Sequence, residues 1–284
     1  MKKLAFLTAA ILCGALAATA QNKENGHEYV DLGLPSGLKW ATCNVGADTP
    51  EANGDYYAWG ETAPKDNYSW GTYTWCNGNY NNLTKYNTKS NYGTVDNKTT
   101  LDPEDDAAAA NWGGKWRMPT NDEWTELRNE CTWTWVEGYN GTDKNGYEVT
   151  SKTNGNSIFL PATGYRYYGS LYDAGGRGYY WSSSLGTDSP DVAWLVGFYS
   201  GGVGRDYYGR CYGLSVRPVC QITTPTALAA AEMPAVYAAD GRIVCAQEFR
   251  VFDLLGRDVT RQNGTLHGVY VVKTAQTAQK VVVK

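Results

Sequence analysis

The sequence predicts an α+β chain of two domains, a larger aromatic-rich one followed by a small all-β one. Three observations carry that reading. Among 284 residues, 32 Gly, 22 Tyr and 11 Trp stand against 5 Phe and 3 Met, a balance that excludes a helical bundle. Strand-like runs punctuated by proline and glycine recur along the chain. Two segments carry the chemistry of a helix start. The net charge is −4 with only 19% charged residues, which makes nucleic acid or an anionic membrane a poor partner. The only two histidines, His27 and His267, leave little for histidine-based metal or acid–base chemistry.

In chain order, residues 1–20 read as an export signal. Lys2 and Lys3 precede the apolar run Leu4–Ala18, and Ala18-Thr19-Ala20 offers a small-residue cleavage site before Gln21. Cleavage leaves 264 residues, a net charge of −6 and six cysteines: Cys43, Cys76, Cys131, Cys211, Cys220 and Cys245. An exported chain with an even cysteine count is compatible with disulfides, and we expect at most two as accessory bridges. No CxxC spacing suggests zinc.

Residues 27–60 predict paired strands, with Pro35-Ser36-Gly37 turning between Glu28–Gly33 and Leu38–Val45. Residues 64–100, rich in Asn, Tyr, Thr and Gly, predict long loops pinned by Trp59, Trp70 and Trp75. A first helix is expected behind the cap Asp102, with Pro103 at its first position, Glu104, Asp105 and Asp106 in its first turn and Gly113-Gly114 as its stop. The second begins with Thr120 and Glu123 in a capping box and places Trp124, Leu127 and Cys131 on one face. Strands are then expected at 157–160, 179–183, 192–200 and 214–219. Residues 222–226 read as a linker between a domain at 21–221 and a β domain at 227–284, where short Val/Leu strands alternate with glycine turns.

Two resemblances follow from specific residues. Tyr29–Ala41, Gly54–Glu61, Trp116–Thr120 with Glu123-Trp124, Leu160–Arg166, Tyr180–Ser184 and Ser215–Val219 form an ordered series. It resembles the Fibrobacter succinogenes major paralogous domain family of the C-type-lectin-like group. The resemblance covers about residues 27–220 and implies two helices against twisted antiparallel strands with long loops on one side. The tail, through Val251–Arg257, Gly268–Val272 and Lys280–Lys284, resembles the sorting domains of type IX secretion cargo. That implies a small β-sandwich read by outer-membrane export machinery, and a final location outside the cell or on its surface.

Catalytic constellations are scarce. His27 and His267 lack an evident Ser or Cys partner, and Ser182–Ser184 lack the glycine elbow of a hydrolase. The calcium motifs of animal C-type lectins are absent, although loop carbonyls supply calcium without any motif; no cofactor is required. The group also holds formylglycine-generating oxidases, but Cys211 and Cys220 are nine positions apart and do not match their copper-binding pair.

The informative stretch is 165–213, where 27 of 49 residues are Tyr, Gly or Ser. Such a surface supplies rigid amphipathic rings and adaptable hydrogen bonding. We therefore expect Asp188, Asp191, Tyr199, Arg205, Asp206, Tyr207, Tyr208 and Arg210 to contact a ligand. Arg117, Trp124, Trp181, Trp194 and Arg217 are expected to be structural. The predicted function is recognition of a glycan or a surface protein by an exported adhesion protein. A glycan-active hydrolase, an oxidase and a structural surface protein are the alternatives.

Overall fold

The structure, a computed structural model, describes residues 22–222, 236–239, 241–245, 248–274 and 278–283. The predicted signal peptide and residues 223–226 of the predicted linker lie outside the described residues. The chain divides after Ile222 into two units.

The first unit is mostly β. Its strands are β1 (Lys23–Glu24), β2 (His27–Asp31), β3 (Lys39–Ala41), β4 (Trp116–Arg117), β5 (Cys131–Val136), β6 (Gly146–Ser151) and β7 (Ser157–Pro161). They continue with β8 (Tyr165–Tyr167), β9 (Ser170–Tyr172), β10 (Arg177–Leu185), β11 (Val192–Tyr199), β12 (Gly202–Gly209) and β13 (Val219–Cys220). The sheets have the orders β1-β2-β3-β13-β4, β5-β6-β7, β8-β9 and β10-β11-β12.

Two short helices, α1 (Ala107–Trp112) and α2 (Asn121–Glu130), accompany them. This corrects the expected α+β, C-type-lectin-like class: helices of six and ten residues are too short to form a layer, and small sheets provide the architecture. The first helix explains part of the shortfall. Asp102 and Pro103 start only a 3-10 turn at Pro103–Asp105. Asp106 is the true cap, its carboxylate accepting from the amides of Ala108 and Ala109 and, through the other oxygen, from Met118. Gly113, at φ 63°, then ends a helix that has had room for under two turns. The second helix starts as expected, with the reciprocal bonds of Thr120 and Glu123.

Strands β10 and β11 are buried on both faces. On one, Tyr179, Trp181, Ala193 and Leu195 join Tyr57, Trp59, Trp116 and Met118. On the other, Tyr180, Val196 and Phe198 join Trp40, Trp124, Leu127 and Leu160. A third cluster (Tyr56, Tyr68, Tyr73, Cys76, Leu83 and Cys211) ties down the long loops. There the Trp75 indole donates to the Gly60 carbonyl at 2.6 Å. The run 214–219 is not one strand. Leu214 and Ser215 make single bridges to Tyr57 and Tyr180, and pairing resumes only at Val219.

In the second unit β14 (Tyr237–Ala239) pairs with β15 (Arg242–Val244), and β16 (Phe249–Phe252), β17 (Gly268–Thr274) and β18 (Ala278–Val283) form a three-stranded sheet. Ile243, Val251, Leu266, Val272, Val281 and Val283 make its core. All six cysteines of the described residues are free thiols, where the sequence allowed up to two bridges.

Replacing Asp106 by Ala strips the cap from α1 and leaves the buried Met118 amide without its acceptor. Denaturant unfolding is expected to show a loss of about 2–4 kcal/mol, and a loss below about 1 kcal/mol would contradict this role.

Candidate functional site

The antiparallel register of the last two strands of the β10-β11-β12 sheet decides where the predicted ligand residues go. It sets Trp194 opposite Tyr207, Val196 opposite Arg205, Leu195 opposite Asp206, Gly197 opposite Gly204 and Ala193 opposite Tyr208. Side chains alternate along a strand. Gly204, Asp206 and Tyr208 therefore share one face with Tyr179, Gly197 and Tyr199, while Arg205 and Tyr207 take the other with Trp194.

The first face holds a shallow trough of about 370 Å³, lined among others by Arg177, Tyr179, Tyr199, Gly204, Asp206 and Tyr208. Its floor is bare backbone. A Cβ added at Gly202 or Gly204 would meet nothing within 4 Å, so those positions leave open space above the strand. The walls are aromatic. Tyr199 is 52% exposed, and the Arg177 guanidinium lies 5.6 Å above its ring. The Tyr208 ring sits 5.3 Å from Tyr179. The Tyr179 hydroxyl donates to Asp173 at 3.3 Å. Burial, followed by the neighbouring Tyr179 hydroxyl, raises the Tyr208 phenol well above its ordinary value, so it stays a neutral O–H donor at any physiological pH. Rings with hydroxyl tips, an open backbone floor and the Asp206 carboxylate make a surface for polar, ring-shaped ligands.

On the opposite face the Arg205 guanidinium stacks 4.3 Å from the Trp194 ring and Tyr207 meets it edge-on at 5.7 Å. Trp194 is half-buried rather than a core residue, because the odd-numbered side chains of an edge strand are all that cover it. The predicted eight residues thus separate: Tyr199, Asp206 and Tyr208 meet at the trough, Arg205 also lines it although its guanidinium turns to Trp194 on the opposite face, and Tyr207 lies behind it.

The remaining three belong to the loop frame. Arg210, expected at the ligand face, is fully buried. Its Nε donates to the Tyr73 hydroxyl at 2.8 Å, and its terminal nitrogens donate to the carbonyls of Tyr86, Pro190 and Lys85 at 3.1, 2.9 and 3.0 Å. With its donors committed to the loops and its plane over the Trp59 ring at 4.9 Å, it is a structural pin. The Asp191 carbonyl accepts from the Arg210 amide at 2.9 Å, and burial raises the Asp191 carboxyl. Asp188 is exposed, with its carbonyl accepting from Lys89.

The other structural residues sit within the frame. Trp181 and Trp124 are buried, Trp181 donating to the Tyr57 carbonyl at 2.8 Å and Trp124 to the Trp181 carbonyl at 3.2 Å. Arg117 forks onto Glu123 at 2.7 and 2.5 Å. Arg217, fully buried, donates to Asn44 and to the Ala41 carbonyl.

Sequence reasoning missed Arg177, Tyr179, Gly197, Gly202 and Gly204. A period-two reading of Gly202-Val203-Gly204-Arg205-Asp206-Tyr207-Tyr208 as a strand, rather than as glycine-rich turn, would have found the glycine floor. Among the described residues, no group of three or more His, Cys, Asp or Glu side chains is placed to hold a metal. A family described as a domain of unknown function (DUF8237) matches residues 134–219, the part that contains the trough. No curated protein and no solved structure matches the chain.

Two outcomes test the frame. Arg210→Met leaves three loop carbonyls without a donor and is expected to cost at least about 3 kcal/mol in denaturant unfolding. The loop around residue 87 is held by Asp96, whose carboxylate accepts from the amides of Tyr86, Asn87 and Lys98 at 2.8, 2.9 and 3.1 Å. Burial alone would raise that carboxyl, but these three bonds outweigh it and hold it below its ordinary value. Its contribution is therefore complete above the unfolded carboxylate value and is lost as pH falls through the lower folded one. Amide exchange at Tyr86, Asn87 and Lys98, corrected for intrinsic rates, is expected to rise on acidification into that range, before the sheet core opens.

Proposed function

We propose that the first unit is the recognition module of an exported cell-surface protein and that it holds a glycan on the trough of the β10-β11-β12 sheet. The observation that supports this most is the pairing of an open glycine floor with aromatic walls. A sugar ring presents C–H groups to one side and hydroxyls around its rim. Tyr199 and Tyr208 offer ring faces and edges to the former and phenol groups to the latter, with the buried Tyr179 backing Tyr208. Arg177 and Asp206 add a donor fork and an acceptor at the border. The site is shallow, which suits part of a larger molecule better than an enclosed small one. The cell-surface assignment rests on the leader-like start and on the tail's resemblance to secretion cargo, whose partner would be outer-membrane export machinery.

The substitution Gly204→Val tests the reading. A Cβ there meets nothing within 4 Å and a strand favours a β-branched residue, so folding is expected to be retained while the trough floor fills. Saturable binding by the full chain on a glycan array, reduced at least about tenfold in the variant, is the expected result. Binding only to protein ligands, or release of new reducing ends from the bound glycan, would replace the reading with a protein receptor or a hydrolase.

A further inference from the structure

The aromatic wall does not end at Tyr208. That ring lies 5.5 Å from Tyr165 and 5.4 Å from Tyr212. Tyr165 stacks on Tyr172 at 5.3 Å, and Tyr212 stacks on Tyr167 at 4.3 Å with the planes 7° apart. Tyr167 in turn meets Tyr168 at 4.5 Å. These rings come from β8, β9, β10, β12 and the turn after it, so their contiguity is made by the tertiary fold and is more than local composition. The far end stands in solvent: Tyr172 is 43% and Tyr168 55% exposed.

Tyr168 is also held against its own backbone preference. It takes φ +49° at the tip of the β8–β9 hairpin although a glycine, Gly169, follows it. A non-glycine residue is strained in this region, and strain of this kind collects where a fold must hold a side chain in place. The position is fixed by two backbone bonds of 2.9 Å between Tyr68 and Tyr168, one in each direction. Burial would favour turning such rings inward; here the backbone fixes one outward.

We propose that the ligand is an extended polysaccharide segment, and that it runs from the glycine trough past Tyr208 and Tyr165 onto the hairpin at Tyr172 and Tyr168. This rests on the glycan reading of the trough and adds the class of glycan: a chain whose successive sugars meet successive rings, rather than a terminal sugar. The rings on this path, Tyr208, Tyr165 and Tyr172, follow one another at 5.5 and 5.3 Å, so each added sugar reaches a further aromatic edge. The entropy of association is lost once, whereas contacts accumulate with length, so affinity rises until the belt is filled.

The test is calorimetric titration of the full chain with disaccharide-to-hexasaccharide ladders of β-1,4-glucan, β-1,4-xylan and β-1,4-mannan, together with the parent polymers. The hexasaccharide of the bound series is expected to bind at least about tenfold more tightly than its disaccharide. The double variant Tyr168→Asn, Tyr172→Ser keeps a residue tolerant of positive φ at the tip. It is expected to weaken hexasaccharide binding about threefold to tenfold and to leave disaccharide binding unchanged. Equal affinity along a ladder, still abolished by Gly204→Val, would overturn the extension and leave the glycan reading standing. Failure of every ladder and polymer to bind would overturn the extension, and a blank glycan array beside it would overturn the glycan reading as well.

Discussion

The double burial of strand β10 is the constraint on which the rest of the first unit depends. A strand with one face in water needs only half its residues to be apolar. This one has Tyr179 and Trp181 facing one cluster and Tyr180 facing the other, and its neighbours pack to match. Indole donors lock it in place. Trp181 donates to the Tyr57 carbonyl, Trp59 to the Ser182 carbonyl, and Trp124 to the Trp181 carbonyl. Each is a large apolar body whose single polar atom finds a backbone acceptor, the condition under which tryptophan can be buried without an unpaired donor. Gly178 makes the same point from the opposite direction, since a Cβ there would lie 2.1 Å from the Phe198 ring. Truncating one of these rings would open a cavity in its core cluster, a costly kind of substitution.

With β10 and β11 fixed, β12 is free to be irregular in composition. It is the edge of the sheet, and an edge strand offers unpaired backbone groups to any extended chain that comes near. Two of those groups are engaged locally. The Asp206 carboxylate accepts from the Tyr207 amide at 2.8 Å, and Arg128 reaches the Val203 carbonyl at 3.5 Å. Charge on and around this edge, with glycines at three of its positions, weakens pairing with a second strand and leaves its trough-side face bare. A floor of glycine would be unstable in an isolated hairpin. Here its register is imposed by β11, which is itself paired along β10 between two buried clusters.

How much of this was legible in the sequence follows from how local each signal is. The capping box at Thr120–Glu123 is written within four residues, and α2 begins where it predicts. The first helix misleads because four acidic residues fall within five positions, Asp102 and Glu104–Asp106, and more than one can look like a cap. Only the tertiary placement of the Met118 amide selects Asp106. The fold class fails for a related reason. Two helices can be counted correctly while their length, fixed by Gly113 and by the entry into β5, denies them the role of a layer. Arg210 was misplaced because a lone arginine among glycines and tyrosines reads as surface. Its four oxygen partners lie at positions 73, 85, 86 and 190, separations that no pattern within one segment can reveal. At the trough, Tyr199, Asp206 and Tyr208 were found by residue type. That the side chains of Arg205 and Tyr207 turn to the opposite face needed the register, which composition does not contain.

The division of labour inside the unit bears on how such a surface can change without loss of the fold. Arg210 fixes the long loops from beneath, through carbonyls rather than side chains except at Tyr73. The loops it holds are therefore tolerant of side-chain replacement at Lys85, Tyr86 and Pro190 as far as that pin is concerned, since a carbonyl is present whatever the residue. The trough is built on the same principle: its floor is backbone, and its exposed Tyr199 and Asp206 sit on strands whose register is set by buried neighbours. Stability is thus concentrated in Trp59, Trp124, Trp181, Arg210 and Arg217, and the surface proposed for recognition includes Tyr199 and Asp206, which are exposed and whose replacement removes little buried area. A fold arranged in this way can change the exposed side chains of its trough at small cost in folding free energy, because those side chains and the groups that hold the sheet are different residues.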